Sequence, residues 1–273
     1  MDKNVKKINI QDSTFSHCIF SNNPLPPIQF SEDVEWVRKE SYSNEEDVIY
    51  TDEKIFFSRG NKEKDIAWLI EPEKLKPNIY KYVKENHKKF KIIFTHDKDI
   101  LELDNASFIP YGGCWVHKRD CSLHKKHKNI SIIASNKNQL DGHKLRHEII
   151  SKFKKHIDIF GNGYKKINNK INGLKDYRFH LVIENTKKDY WFTEKLIDSM
   201  MTGAVPIYYG CPSIEKFFNT HGIVQINNLN DFDKILRNLT EEFYDQKMPF
   251  IKENFKLASN YFLAEKYISK FFK

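Results

Sequence analysis

The chain predicts an α/β fold built from βαβ units, on three observations. Phe179 to Ile183 is a short apolar run of strand-forming residues that ends in the polar Glu184, Asn185 and Thr186. Thr193 then stands where an N-cap belongs. Glu194 falls in the first turn, Leu196, Ile197, Met200 and Met201 share one face, and Gly203 closes the helix before a second apolar run from Ala204 to Tyr208. The same pattern occurs upstream: Asn129 to Ala134 reads as a strand and Ile157 to Phe160 as the next. Between them runs a helix from Asp141 or Gly142 to about His156, striped by Leu145, Ile149, Ile150 and Phe153. Strand, helix and strand in repetition make a parallel sheet covered by helices.

Composition bounds the function. With 273 residues, 40% of them hydrophobic, the chain can bury the core of one large or two modest domains. No window approaches the roughly 18 apolar residues of a membrane span. The opening MDKNVKKINIQDSTF lacks the apolar core of a signal peptide, so a cytoplasmic location with at most peripheral membrane contact is the expectation. Cys18, Cys114, Cys121 and Cys211 are too few and too scattered for a disulfide framework and form no Cys-x-x-Cys zinc pair; reduced thiols are expected. A net charge of +8 raises nucleic-acid binding as a second functional class, but the lysines are dispersed. The densest basic run, His117 to Lys128, reads as a solvated loop.

In chain order, Met1 to about Pro27 reads as an extended arm or early strand followed by the turn-rich SNNPLPP. Val48 to Tyr50, Ile55 to Phe57 and Ile66 to Ile70 read as strands, the last ending at Glu71-Pro72. A carboxylate where a proline stops the chain from continuing in the sheet stands where α/β sheets collect ligands, so Glu71 is a candidate site residue, with a plain surface glutamate as the alternative. Asn78 to Lys88 is helical, and Lys91 to Thr95 is a strand leading into His96, Asp97 and Asp99. Asp-x-Asp at a strand end is a pattern that holds a divalent cation and a nucleotide diphosphate, a rival chemistry, although Asp231-Phe232-Asp233 repeats it inside a helix. The glycines of Tyr111-Gly112-Gly113 permit a sharp turn, and the basic connection that follows divides the chain into 1–125 and 126–273. Gly161-Asn162-Gly163-Tyr164 is a turn or a phosphate-side loop. Ile223 to Ile226 is a strand, Asn230 to Asn238 a helix, and the chain from Met248 onward mostly helical.

Two helix starts gather anion-binding chemistry. Arg146 offers a rigid fork of donors near one. Glu194 and Lys195 open the other, where free N–H groups and the dipole favour anions. A lysine there is unfavourable by roughly 0.3 kcal/mol or more and asks for an anionic partner such as a phosphate. A capping glutamate and a solvated lysine are the plain alternative.

The stretch ENT…FTEKLIDSMMTGAVPIYYGCPSIEKFF carries a glutamate-asparagine pair, a Thr-Glu-Lys triplet, a Gly-Ala-Val-Pro turn and a Tyr-Gly-x-Pro-Ser tail. It resembles the donor-binding signature of the family 10 glycosyltransferases, the α1,3/1,4-fucosyltransferases that use GDP-fucose. The likeness is strong from Glu184 to Phe218 and loose over the rest of the C-terminal half. It implies a GT-B architecture, two Rossmann-like domains facing across a cleft, with the last helix, about 258–273, returning towards the first. It also implies an inverting transfer without an obligatory metal or cofactor, whose partners are the nucleotide sugar and a glycan hydroxyl rather than nucleic acid. A UDP-sugar, with metal held by Asp97 and Asp99, is the alternative donor.

By this resemblance Ser135, Asn136 and Arg146 match the family's Ser-Asn stretch and the arginine after it, which faces the leaving diphosphate. Glu184 and Asn185 would contact the donor. Trp191 stands near an aromatic that covers the base or ribose, where the family often has tyrosine. In the Thr193, Glu194 and Lys195 triplet, Glu194 would take the ribose and Lys195 the diphosphate. Trp68, Glu71, Pro72 and Pro77 faintly resemble the aromatic-then-Glu-x-Pro context of the family's base, departing from it in that Pro72 follows Glu71 directly; by this resemblance Glu71 would take the acceptor proton.

Overall fold

The structure, a computed structural model, describes residues 6–12, 34–39, 41–263 and 265–272; most of the arm and loop expected before Pro27, and Cys18, lie outside them. The chain divides into two compact units. One comprises Met1–Gly113, Asp189–Trp191 and Leu263–Lys273, the other Cys114–Lys188 and Phe192–Phe262.

The first unit holds β1 (Lys6–Gln11), β2 (Val34–Val37), β3 (Val48–Thr51), β4 (Asp65–Trp68), α1 (Pro77–Asn86), β5 (Ile92–Thr95), α2 (Lys98–Leu101) and β6 (Ala106–Phe108). Its strands form a six-stranded sheet in the order β2-β1-β3-β4-β5-β6, every pair parallel. Central strands of such a sheet are covered on both faces, which is why β3 and β4 are buried throughout and carry the apolar runs Val48 to Tyr50 and Ile66 to Trp68. Alternation along them sorts the core into two layers: Ile49, Ile66, Trp68 and Phe94 on one face, Val48, Tyr50, Ala67 and Ile93 on the other. The second layer packs against Ile79, Tyr80 and Val83 of α1.

Two expectations here are corrected. Ile55 to Phe57 is not a strand but the end of a tight 3-10 turn, Asp52–Phe57. Ile55 is buried while Phe56 and Phe57 are 41% and 75% exposed, so these residues lack the two-residue alternation of a half-buried strand. The strand that begins near Ile66 stops at Trp68, because the Ile70 amide donates to the Asp52 carboxyl and not to a neighbouring strand.

The second unit holds β7 (Lys128–Ile133), α3 (Asp141–Phe153), β8 (Asp158–Phe160), β9 (Tyr177–Ile183), α4 (Glu194–Met200), β10 (Val205–Tyr209), β11 (Val224–Gln225), α5 (Leu229–Leu236), α6 (Glu241–Gln246) and α7 (Met248–Ser259). The sheet order is β11-β10-β9-β7-β8, again all parallel. Ile130, Ile132, Phe179, Leu181, Val205 and Ile207 from the strands join Leu145, Ile149, Ile150 and Phe153 from α3 in one core. Thr193 caps α4, its hydroxyl accepting from the Lys195 amide, and Gly203 turns the chain into β10 at φ +73°, a conformation that suits glycine. In the basic run, Lys126 departs from the solvated loop expected there. It is buried, it donates to the carbonyls of Thr202 (2.6 Å) and Lys175 (3.1 Å), and burial lowers its pKa to about 7.

The last described segment, with α8 (Glu265–Ile268), belongs to the first unit, where Ile268 is fully buried among Ile8, Trp68 and Phe94. Among the described residues no helix is long and apolar enough to cross a membrane, and Cys114, Cys121 and Cys211 form no disulfide.

Candidate functional site

The carboxyl ends of β7, β8 and β9 open into a pocket of about 260 Å³ in the second unit. This is where parallel sheets place ligands, because strand-to-helix turns there present free backbone amides. Ala134 and Ser135 follow β7, Gly161 and Asn162 follow β8, Arg146 reaches in from α3, and Glu194 and Lys195 from the first turn of α4. Gly161 lies at φ +111°, and a Cβ there would sit 2.0 Å from the Ala134 carbonyl oxygen, so the turn that shapes the pocket wall requires glycine.

The cations are held by a network anchored on Glu184. Its fully buried carboxylate accepts from the Thr193 amide (2.9 Å), the Thr193 hydroxyl (2.7 Å) and the Lys195 ammonium (3.3 Å). Thr193 Oγ1 in turn accepts from Lys195 Nζ at 3.0 Å. Arg146, 5% exposed, donates to the Ile183 carbonyl at 2.8 Å. Burial pulls its pKa down, against the opposing charge of Glu184. The start of α3 is pressed against the same strand end: the Gly142 amide donates to the Asn185 carbonyl (3.1 Å), His143 Nε2 meets Asn185 Oδ1 (3.0 Å), and a Cβ on Gly142 would fall 1.8 Å from the Glu184 carbonyl oxygen.

A second ionic group completes the lining. Lys170 pairs with Asp198 (2.7 Å) and Glu194 (3.5 Å), and its ammonium lies 4.3 Å from the centre of the Trp115 ring. Burial acting alone would raise the Glu194 pKa, but Lys195 and Lys170 outweigh it and hold this carboxyl at about 2. Asp198 also accepts from the amides of Trp115 (2.6 Å) and Val116 (3.0 Å), fixing the segment that carries the indole. His180 stands inside β9. Burial first, and then the charges of Lys170 and Lys126, lower its pKa to about 3 and keep it neutral. Ser131 donates its single hydroxyl proton to the Gly173 carbonyl (2.7 Å), so the 2.8 Å contact between Ser131 Oγ and His180 Nδ1 is donated by the imidazole and leaves Nε2 as an acceptor.

The structure therefore brings Ser135, Arg146, Glu194 and Lys195 to one pocket and adds Trp115, Lys170, His180 and Asp198, which sequence reasoning missed. Asn136 is exposed and does not line it. Glu184, Asn185 and Thr193, expected against the donor, are turned to the protein: their polar atoms hold Lys195 and the first turns of α3 and α4. Trp191, expected over a base or ribose, is 1% exposed, belongs to the core of the first unit and donates to the Ile70 carbonyl at 3.1 Å. With no free ring face, it has nothing on which to stack a base. Glu71 is half-buried at the carboxyl end of the first sheet. Of the Asp97-Asp99 pair, Asp97 Oδ1 caps α2 by accepting the amides of Asp99 (2.9 Å) and Ile100 (3.2 Å), while the Asp99 side chain is 71% exposed. Capping, not chelation, accounts for that pattern, and among the described residues no group of three or more His, Cys, Asp or Glu is arranged to hold a metal ion.

Residues 123–262 match the model of glycosyltransferase family 10 (fucosyltransferase), C-terminal part, a span that contains every residue named in the pocket lining except Trp115. The chain is 38% identical over 74 residues to the α-(1,3)-fucosyltransferase FucT of Helicobacter pylori, 27% of this chain and 15% of that protein. It is 37% identical over 51 residues to an α-(1,4)-fucosyltransferase of Arabidopsis thaliana, 19% of this chain and 13% of that one. These matches thus span less than a fifth of either relative. A crystal structure of an α1,3-fucosyltransferase with GDP aligns over 99% of this chain and 92% of its own at a TM-score of 0.55 and 16% identity. Anabaena Alr3699/HepE with UDP and glucose aligns over 98% and 99% at 0.60 and 9%. At such identities the likeness establishes the fold, two parallel α/β sheets of the GT-B class. With just over half of its length matched by the family model, the chain belongs to glycosyltransferase family 10, the fucosyltransferase family.

Proposed function

We propose that this protein is an inverting fucosyltransferase that moves L-fucose from GDP-fucose to a hydroxyl of a glycan. The observation that carries the reading is the convergence of Arg146, Lys170 and Lys195 with Glu194 on one pocket at the strand ends of the family-matched unit. Cationic donors fixed in advance around a diphosphate stabilise the charge that develops as the nucleotide leaves, without reorganising during the reaction. Glu194, ionised and aimed into the same pocket, suits the diol of a ribose, which donates to carboxylates. Arg146 and Lys195 take the diphosphate, and Glu71 removes the acceptor proton as its oxygen attacks the anomeric carbon from the face opposite the leaving group. The names of the curated relatives and the GDP in a similar fold support guanine as the base.

Incubating the protein with GDP-fucose on a glycan array, with and without EDTA, tests the proposal. Fucose appearing on acceptor sugars regardless of chelator is the expected result. Transfer from a UDP-sugar and none from GDP-fucose would overturn the donor assignment, and transfer abolished by EDTA and restored by Mn²⁺ would overturn the metal-independent mechanism.

A further inference from the structure

Asp52 is a non-glycine residue in the left-handed region, at φ +40°, at the end of β3. Strain of this kind persists where the surroundings demand it, and it concentrates at functional positions. Here the surroundings are the turn that carries Glu71. Asp52 Oδ1 accepts the amides of Ile70 (3.0 Å) and Glu71 (3.3 Å), and the Tyr80 hydroxyl donates to the Glu71 carbonyl at 2.9 Å. The backbone is thus pinned on both sides of the Glu71 α-carbon by two side chains that are themselves fully buried. The second oxygen of Asp52 is also buried and has no hydrogen-bond partner among the described residues, an arrangement costly for a carboxylate and tolerable for a carboxyl.

We propose that Asp52 and Tyr80 are positioning residues for Glu71: they fix the direction in which its carboxylate leaves the turn, and Asp52 sets the charge beside it. The proposal rests on the reading of Glu71 as the base. The charged and titratable groups within electrostatic reach are Glu71 and Lys76 about Asp52, and Asp52, Glu71, Glu73 and Asp97 about Tyr80. Lys76 is paired with Glu53, which leaves an excess of acids. Burial, reinforced by the Glu71 charge and opposed by the two amide donors, lifts the Asp52 pKa to about 7, so Asp52 is neutral below that pH and adds a second negative charge beside Glu71 above it.

The test compares Asp52→Asn, Asp52→Gly, Tyr80→Phe and Glu71→Gln in the full chain. The readout is GDP release from GDP-fucose, with the acceptor found on the array, or with water as acceptor if the array stays blank. Glycine suits φ +40° and removes the clamp, so Asp52→Gly keeps the fold but lowers kcat by about tenfold to a hundredfold, with KM for GDP-fucose unchanged. Tyr80→Phe lowers kcat in the same direction and retains the packed ring. Asp52→Asn keeps the amide acceptor, restores kcat below pH 6 and lacks the inflection near pH 7 that the parent profile shows. Parental kcat in Asp52→Gly and Tyr80→Phe alongside an inactive Glu71→Gln protein overturns the clamp and leaves the base standing. A fully active Glu71→Gln protein overturns both.

Discussion

Glu194 and Asp52 are both carboxylic acids withdrawn from solvent beside parallel-strand turns, 7% and 0% exposed, and they end in opposite states. Glu194 lies among Lys195 and Lys170 and is held ionised, with a pKa of about 2. Asp52 faces Glu71 with Lys76 as a weaker counterweight and is pushed up to about 7. Burial favours the neutral form at both, so the cations decide the difference. The cations of the second unit thus keep a buried acid charged, whereas the corner of the first unit around Asp52 keeps one protonated up to about pH 7. Under the function proposed above, the first arrangement would suit a leaving nucleotide.

Removing the anchor of the cationic side should have the largest effect. Glu184→Ala strips three donors, including Lys195, of a buried acceptor, and should cost about 3–5 kcal/mol in urea unfolding, the usual result of orphaning one side of a buried charged network. Lys170→Met comes next. It leaves Glu194 and Asp198 short of a cation, raises the Glu194 pKa, and should destabilise by about 2 kcal/mol at pH 7, where the partly exposed lysine is screened, and by less as pH falls towards 2, where Glu194 takes up its proton.

The sharpest effect on the comparison is in the sign of the pH dependence. Glu194 binds its proton more weakly in the native state than in the unfolded chain, so its stabilisation is present above pH 4.5 and is lost as pH falls through 2. Asp52 binds its proton more tightly in the native state, so its contribution is present below pH 3.8 and is lost as pH rises through 7. Asp52→Asn, which cannot ionise, should therefore gain on the parent steadily between pH 4 and pH 8 in urea titrations. A constant difference would show that Asp52 does not titrate there.

The layout of the second unit was legible because local signals agreed: an apolar run, a threonine cap, a glycine at positive φ and a second run specify a βαβ unit without reference to the rest of the chain. Arg146, in the second turn of α3, and Glu194 and Lys195, in the first turn of α4, were legible because their segments carry both a helix-start pattern and the family resemblance. Trp115, Lys170, His180 and Asp198 were not, since each comes from a different segment and folding alone unites them. A signal was nevertheless available in two cases: His180 interrupts the apolar run of β9, and Asp198 sits within the buried stripe of α4, and a titratable group in such a run needs partners. Trp191 was misread because an aromatic residue in a loop serves a core as readily as a ligand, and no local pattern separates the two. The turn at Asp52 was lost for a related reason, since its positive φ is set by amides 18 and 19 residues further along the chain.

Under the proposed function, the strand-end pocket of the second unit binds the nucleotide of the donor through Lys195. Thermal unfolding of the parent and of Lys195→Ala with GDP, UDP and CMP tests it most directly, because a ligand that binds only the native state raises the melting temperature. GDP should raise it in the parent, more than UDP or CMP does, and Lys195→Ala should lose most of that increase. Equal responses of the two proteins to GDP, or no response in the parent, would contradict it.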